Sequence, residues 1–207
     1  MEFTLIENLK KLLTQNSLIT IFTLALLIFV LYFISKRTTY NTKILTYGAL
    51  SIALSFVLSY VKLFSMPKGG TITPGSMLPL FAFASIAGPG PGIAAGLCYG
   101  LLQSAQDFFA VSPIQYILDY PLAFAMLGLA GFFRKNIFLG SVVGAGARFI
   151  CHFVSGIVFF AEAAGDQNVL IYSFLYNISY ILPDLAICLV ILAIPAVRKA
   201  VTRPRLE

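Results

Sequence analysis

The sequence predicts an all-α integral membrane protein, a six-helix bundle preceded by one extra N-terminal transmembrane helix. Of its 207 residues, 59% are hydrophobic and only 11% are charged, and the mean hydropathy of +0.91 lies well outside the usual range for a soluble domain. Seven apolar stretches predict seven membrane helices, since about 20 residues cross a bilayer. Polar side chains inside these stretches recur at helical spacing, as they do in a bundle that holds an internal site.

The seven predicted helices follow one another with short linkers, so we expect one compact bundle. The first is too long and uninterrupted for a typical signal peptide and lacks a small-residue cleavage site. We therefore divide the chain into an extra helix with a basic linker (residues 1–42), a six-helix membrane domain (43–200) and a C-terminal tail (201–207) that ends in what resembles a cloning remnant. The predicted spans are Ser17 to Ser35, Lys43 to Phe64, Thr73 to Ala87, Gly92 to Ala110, Pro113 to Phe133, Ile137 to Phe160 and Val169 to Val197.

The distribution of Lys and Arg predicts the orientation, because cytoplasmic loops of membrane proteins carry an excess of both. With the C-terminus inside and the N-terminus outside, most of the loop cations fall on the inner side. The inner ones are Lys36, Arg37, Lys43, Arg134, Lys135, Arg198, Lys199, Arg203 and Arg205, and the outer ones are Lys10, Lys11, Lys62 and Lys68. The net charge of +6 thus follows mostly from the membrane topology, and it does not indicate nucleic-acid binding. We expect the C-terminal tail to contact anionic membrane lipid.

Ionisable and amide side chains in the last two predicted helices indicate a site inside the membrane, because such groups are costly in hydrocarbon. Arg148, His152, Gly156 and Phe160 follow one another every four residues and therefore share one face of a helix. At about 1.5 Å per residue, the residues Asp119, His152, Tyr172 and Asn177 fall at a similar depth below the outer surface. We expect them to line one pocket that opens outward.

Each of these side chains suggests its own role. An unpaired Asp119 would suit a cationic ligand, and the amide of Asn177 offers the donor and acceptor that a heterocycle edge needs. Arg148 and Asp184 both fall near the middle of the membrane, so we expect them to form a structural ion pair. His152 is the only histidine, which argues against a metal site built from histidines.

Three function classes are compatible with such a site. The polar residues could form a binding pocket, or Arg148, Asp184 and Asp119 could act as the charge relay of a stand-alone, gradient-driven carrier of a small organic cation. A membrane enzyme that acts on a lipid or prenyl substrate through His152 is the third possibility. We expect no enzyme, because protease signatures and paired interfacial acids are absent from the sequence. Nor do we expect a cofactor, since Cys98, Cys151 and Cys188 lack metal-ligand spacing and are predicted to be buried thiols.

Three segments resemble the thiamine-specific substrate-binding (S) component of energy-coupling-factor transporters, over roughly Lys43 to Val197. They are Met66 to Met77 (MPKGGTITPGSM), Gln115 to Pro121 (QYILDYP) and His152 to Gly156 (HFVSG) with the following Tyr172 to Asn177. The resemblance implies a six-helix protein of the bacterial cell membrane that captures thiamine from outside. It also implies a transmembrane coupling subunit as partner, driven by two cytoplasmic ATPase subunits. The coupling subunit would dock on Ala49 and Ala53, which match the family's Ala-xxx-Ala motif.

The resemblance assigns the substrate-binding residues one by one. The acid that faces the cationic ligand corresponds to Asp119, with Tyr120 beside it, and the segment from Met66 to Met77 corresponds to a lid. The remaining matches are the family histidine at His152, the glycine whose backbone meets the ligand at Gly156, the ring-stacking aromatic at Phe160, and the pair that holds the aminopyrimidine at Tyr172 and Asn177. The chain departs from some members in having no Trp, and it has Asp where others have Glu.

Overall fold

The computed structural model describes residues 41–67 and 69–201 of the chain. Within them, six helices form one bundle and a short seventh helix follows. The predicted first span, Ser17 to Ser35, lies outside the described residues, as do most of the basic linker and residues 202–207. The helices are α1 (Thr42–Tyr60), α2 (Leu78–Ala87), α3 (Pro89–Gln106), α4 (Pro113–Phe133), α5 (Ile137–Phe159), α6 (Val169–Ala193) and α7 (Pro195–Val201).

Side-chain caps fix where four of these helices begin. Asn41, Asn136 and Asn168 precede α1, α5 and α6, and each carboxamide oxygen accepts a hydrogen bond from a backbone N–H of the first turn. Ser112 does the same for α4. Asn and Ser are favoured at this position because they satisfy amide groups that have no partner inside the helix.

The helices confirm a multi-pass membrane protein. Among the described residues, α1, α4, α5 and α6 are long and apolar enough to cross a membrane, and their outer faces expose side chains such as Leu50, Ile150 and Val190. The predicted span from Thr73 to Ala87 is shorter than expected, because its first five residues form a turn and α2 has only 10 residues. Gly88, at a φ of 99°, joins α2 to α3.

Close contact between α3 and α4 brings the site residues of α4 into the bundle. A Cβ atom at Gly96 would overlap the carbonyl oxygen of Phe124, and one at Gly100 would lie 2.6 Å from the carbonyl oxygen of Tyr120. The small-residue stripe Gly92, Gly96 and Gly100 therefore lets α3 pack closely against its neighbours.

Helix α4 is irregular where it carries the predicted site. It begins as an α-helix, forms a π-helical turn over Leu118–Leu122 and ends as a 3₁₀-helix over Met126–Phe133. Pro121 lies inside the π turn, where it cannot donate a backbone hydrogen bond. Such π turns are frequent at functional sites because they redirect side chains out of the regular helical spacing. Here the turn contains Asp119 and Tyr120.

A two-stranded antiparallel hairpin follows α1. Its strands β1 (Phe64–Ser65) and β2 (Thr71–Ile72) pair Phe64 with Ile72 and Ser65 with Thr71. The hairpin occupies the first half of the segment from Met66 to Met77 that the resemblance assigned to a lid. The second half is the turn that leads into α2.

Candidate functional site

A cavity of about 740 Å³ lies between α3, α4, α5, α6 and the hairpin. Its size is typical of a site for a small organic molecule. The seven residues that were predicted to bind the substrate all line it. They are Asp119, Tyr120, His152, Gly156, Phe160, Tyr172 and Asn177.

Asp119 is the centre of a hydrogen-bonded cluster on the cavity wall. Its Oδ1 lies 2.9 Å from His152 Nδ1, and its Oδ2 accepts hydrogen bonds from Ser155 Oγ at 2.7 Å and from the amide of Gln115. Asp119 is therefore hydrogen-bonded within the protein and is not an unpaired carboxylate. The two oxygens of a carboxylate have about four acceptor positions, so three contacts leave one for a ligand.

Arg148 extends this cluster by one turn of α5. Its Nε donates to His152 Nε2 at 3.3 Å, and its guanidinium carbon lies 4.3 Å from the ring centroid of Phe124. Both Arg148 and Phe124 line the cavity. One continuous chain of contacts thus runs from Arg148 through His152 to Asp119.

The predicted ion pair between Arg148 and Asp184 is not formed. Asp184 is only 2% exposed, and its Oδ1 accepts hydrogen bonds from Thr73 at the backbone nitrogen (3.1 Å) and the hydroxyl (2.7 Å). The carboxylate therefore finds its donors in the turn before α2, whereas Arg148 is engaged by His152 and Phe124. Asp184 thus holds Thr73, in the second half of the segment from Met66 to Met77, and it does not line the cavity.

Asn177 connects α5 and α6. Its Nδ2 donates to the Ser173 carbonyl at 2.9 Å and to the His152 carbonyl at 3.3 Å, and its Oδ1 accepts from the Tyr180 hydroxyl at 2.9 Å. Both amide hydrogens are thus used inside the protein. What Asn177 can still offer to a ligand is the second lone pair of its oxygen.

Aromatic rings form the other walls. Phe160 stacks with Phe109 at a centroid distance of 5.9 Å and an interplanar angle of 23°, and both rings line the cavity. The Tyr120 hydroxyl is held in the loop between α3 and α4, where it accepts from Phe109 N at 2.9 Å and donates to the carbonyl of Asp107. Tyr172 lies on α6 with its ring 5.9 Å from that of Tyr176.

The hairpin covers the cavity and contacts α6. The Tyr176 hydroxyl donates to the Gly69 carbonyl at 2.8 Å. Gly70 has a φ of 86°, and a Cβ atom there would lie 2.8 Å from the ring of Tyr180. Only glycine fits this approach, and the hairpin forms part of the cavity wall through Met66, Gly69, Gly70 and Thr71.

Several cavity residues were not predicted from the sequence. Gln115 and Ser155 contact Asp119, Phe109 stacks on Phe160, and Tyr180 contacts Asn177. Helical spacing could have indicated Gln115, which lies four residues before Asp119. No local pattern marks Phe109, because it belongs to a loop.

The geometry gives no support to the enzyme alternative. Ser155 Oγ donates to Asp119 and makes no hydrogen bond to His152, so these residues do not form a serine–histidine nucleophile pair. Among residues 41–67 and 69–201, no group of three or more His, Cys, Asp or Glu side chains could hold a metal ion. Cys151 and Cys188 are buried thiols as predicted, whereas Cys98 is exposed because it lies on the side of α3 away from α4.

Comparison with known proteins gives consistent matches. A family model described as thiamine transporter protein (Thia_YuaJ) matches residues 45–203. The thiamine transporter ThiT of Bacillus subtilis (strain 168) is 33% identical over 166 residues, which cover 70% of this chain and 86% of that protein. ThiT of Lacticaseibacillus paracasei is 30% identical over 122 residues, 49% of this chain and 61% of that protein. A solved structure of ThiT from Listeria monocytogenes has the same fold, with a TM-score of 0.66 at 24% identity over 78% of this chain and 97% of that chain.

Proposed function

Because the chain belongs to the thiamine transporter protein (Thia_YuaJ) family, we propose that it captures extracellular thiamine as the substrate-binding S component of an ATP-driven energy-coupling-factor importer. Thiamine combines a permanently cationic thiazolium ring with a flat aminopyrimidine. A suitable pocket therefore offers a carboxylate, an aromatic surface and a few hydrogen-bonding groups. The relatives from Bacillus subtilis and Lacticaseibacillus paracasei are named as thiamine transporters, and these names describe transport and no enzymatic activity.

The observation that carries the proposal is that one cavity is lined by both a largely buried carboxylate and a stacked pair of aromatic rings. The side chain of Asp119 is 15% exposed and retains one acceptor position, and the Phe109–Phe160 stack lies in the same cavity. A desolvated cation over an aromatic face gains about 2 kcal/mol, and Trp is the best face. Because this chain has no Trp, we expect Asp119 to contribute more of the cation binding than the rings do.

The aminopyrimidine edge has partners on α6. Tyr172 lines the cavity, and its hydroxyl makes no hydrogen bond to another described residue, so it can donate to or accept from a ligand. Asn177 can accept one hydrogen bond at Oδ1, as an exocyclic amine would require. Its amide hydrogens hold α5 to α6 and would keep this acceptor in place.

ATP-driven uptake requires partners, because the given sequence carries no nucleotide-binding motif. We propose that a transmembrane coupling subunit, bound to two ATPases, docks on the exposed face of α1. Ala49 and Ala53 both lie on that face, where small side chains permit close helix contact. The cavity would open to the outside, with the N-terminus outside and the C-terminus in the cytoplasm of a bacterial cell.

Calorimetry with the detergent-purified protein tests the binding step. Thiamine is titrated into the wild type, an Asp119→Asn variant and an Asp166→Asn control, which changes an exposed acid outside the cavity. We expect one-to-one binding that Asp119→Asn weakens about 10- to 150-fold, the usual value of 1.5–3 kcal/mol for a hydrogen bond to a charged group. The control should bind like the wild type. Absence of heat with wild-type protein would refute the assignment, and thiamine uptake into vesicles by this chain alone would favour the gradient-driven carrier.

A further inference from the structure

We propose that Arg148 holds His152 in its neutral form with the proton on Nδ1, and that this keeps the negative charge of Asp119 available to a cationic ligand. Arg148 is thus a positioning residue that acts through the imidazole. The part that concerns ligand affinity rests on the proposed function, whereas the protonation state of His152 can be measured without any ligand.

The two contacts of the imidazole ring determine where its proton lies. An arginine Nε always carries a hydrogen and has no acceptor lone pair, so the contact from Arg148 Nε requires a lone pair on His152 Nε2. The carboxylate of Asp119 can only accept, so the contact of 2.9 Å at Nδ1 requires a hydrogen there. Together they specify a neutral ring protonated at Nδ1.

Removal of Arg148 would change the balance of charges around the His152 ring. The charged and titratable groups around His152 are Asp119 on α4, Arg148 on α5 and the Tyr180 ring on α6, whose centroid lies 6.1 Å away. Burial of the ring disfavours an imidazolium, but with Arg148 removed Asp119 would be the one remaining charge of this set, and its direct contact with the ring favours one. A proton on Nε2 would then create an ion pair that cancels the charge of Asp119 at the point where a cation should bind.

Two substitutions of nearly equal length separate the hydrogen bond from the charge. In Arg148→Gln, the amide nitrogen Nε2 occupies the position of the arginine Nε, three bonds from Cβ, and can still donate to His152. In Arg148→Met, a methyl group occupies that position and donates nothing. Both variants lose the positive charge and the contact of the guanidinium with Phe124.

Nitrogen-15 NMR gives a direct readout, because His152 is the only histidine in the chain. The protein is labelled at histidine, purified through a tag free of histidine and measured in detergent at pH 7. We expect the wild type and Arg148→Gln to show one protonated nitrogen, Nδ1, and one bare nitrogen, Nε2. In Arg148→Met we expect both nitrogens to be protonated.

Thiamine titration of the same three proteins completes the experiment. Arg148→Met should bind thiamine about tenfold more weakly than Arg148→Gln, or worse, because only Arg148→Gln keeps a hydrogen-bond donor to the imidazole. A role of Arg148 in packing or in net charge alone would affect both variants equally.

Three results would overturn the inference. The first is a wild-type His152 that is doubly protonated or protonated at Nε2, which needs no variant to fold. The second is equal thiamine affinity of Arg148→Gln and Arg148→Met. The third is a wild type that binds no thiamine, which overturns the proposed function and the part of the inference on ligand affinity, while the nitrogen-15 spectrum still decides the protonation state of His152.

Discussion

Gly156 offers a quantitative test of how α5 and α6 fit together. A Cβ atom at this position would overlap Ser173 Oγ, would lie 3.0 Å from Ser173 Cβ and would lie 3.4 Å from Asn177 Nδ2. Replacement by alanine therefore forces Ser173 to move, although Ser173 Oγ donates to the Phe153 carbonyl at 2.8 Å. The change Gly156→Ala should separate the two helices and disturb Asn177.

The size of the effect follows from three contributions. Overpacking costs about 1–3 kcal/mol, and loss of the Ser173 hydrogen bond costs about 1 kcal/mol more. Against these stands a gain of about 1 kcal/mol from the higher helix propensity of alanine. We expect the free energy of unfolding to fall by about 1–3 kcal/mol, or the Tm by about 2–12 °C.

Thermal unfolding in detergent measures this effect, and α5 offers a matched control. Gly146 lies on the same helix, is exposed and has no heavy atom within 4 Å of a built Cβ, so Gly146→Ala should leave the Tm unchanged or raise it. Adding Ser173→Ala to Gly156→Ala should restore part of the loss, because the overlapping oxygen is gone. A Gly156→Ala variant that melts no lower than Gly146→Ala would contradict the packing described for α5 and α6.

Two further predictions concern the lid and the docking face. Thr73→Val removes a hydroxyl donor from the buried Asp184 and should lower the free energy of unfolding by about 1–3 kcal/mol in thermal melts. The matched change Thr46→Val, at an exposed threonine, should alter it little. Equal melting temperatures of the two variants would disprove the anchoring role of Asp184. Ala53→Trp should leave thiamine binding intact and abolish uptake in cells that contain the coupling and ATPase subunits, whereas Val142→Trp on the exposed face of α5 should permit uptake. Normal uptake with Ala53→Trp would exclude α1 as the docking face.

The cavity residues on α5 could be predicted from the sequence because they belong to one helix. Arg148, His152 and Gly156 are four residues apart, and a regular helix places such residues on one face whatever the rest of the fold. The expectation that Asp119 shares their cavity depended on matching depths in different helices. Asp119 does line the same cavity, although α4 is irregular at this point.

The partners of the buried charges could not be predicted. Asp184 and Arg148 lie at similar depth, which suggested a pair, but depth does not tell which way a side chain points around its helix axis. The rotation of α6 directs Asp184 toward Thr73, in a segment that the sequence had assigned to a membrane helix. Hydrogen bonds from a backbone amide and a hydroxyl satisfy this carboxylate as a cation would.

The sequence by itself determined the membrane class, the number of helices in the bundle, most of their boundaries and several of the polar residues that share a cavity. These properties follow from the cost of polar groups in hydrocarbon and from helical periodicity, both of which act within one segment. The tertiary structure alone decided that Asp119 binds His152 and Ser155, that Phe109 completes the aromatic wall, and that Asp184 anchors the turn before α2 through Thr73. Such contacts join residues far apart in the chain, and they depend on the rotation and spacing of packed helices, which no local pattern encodes.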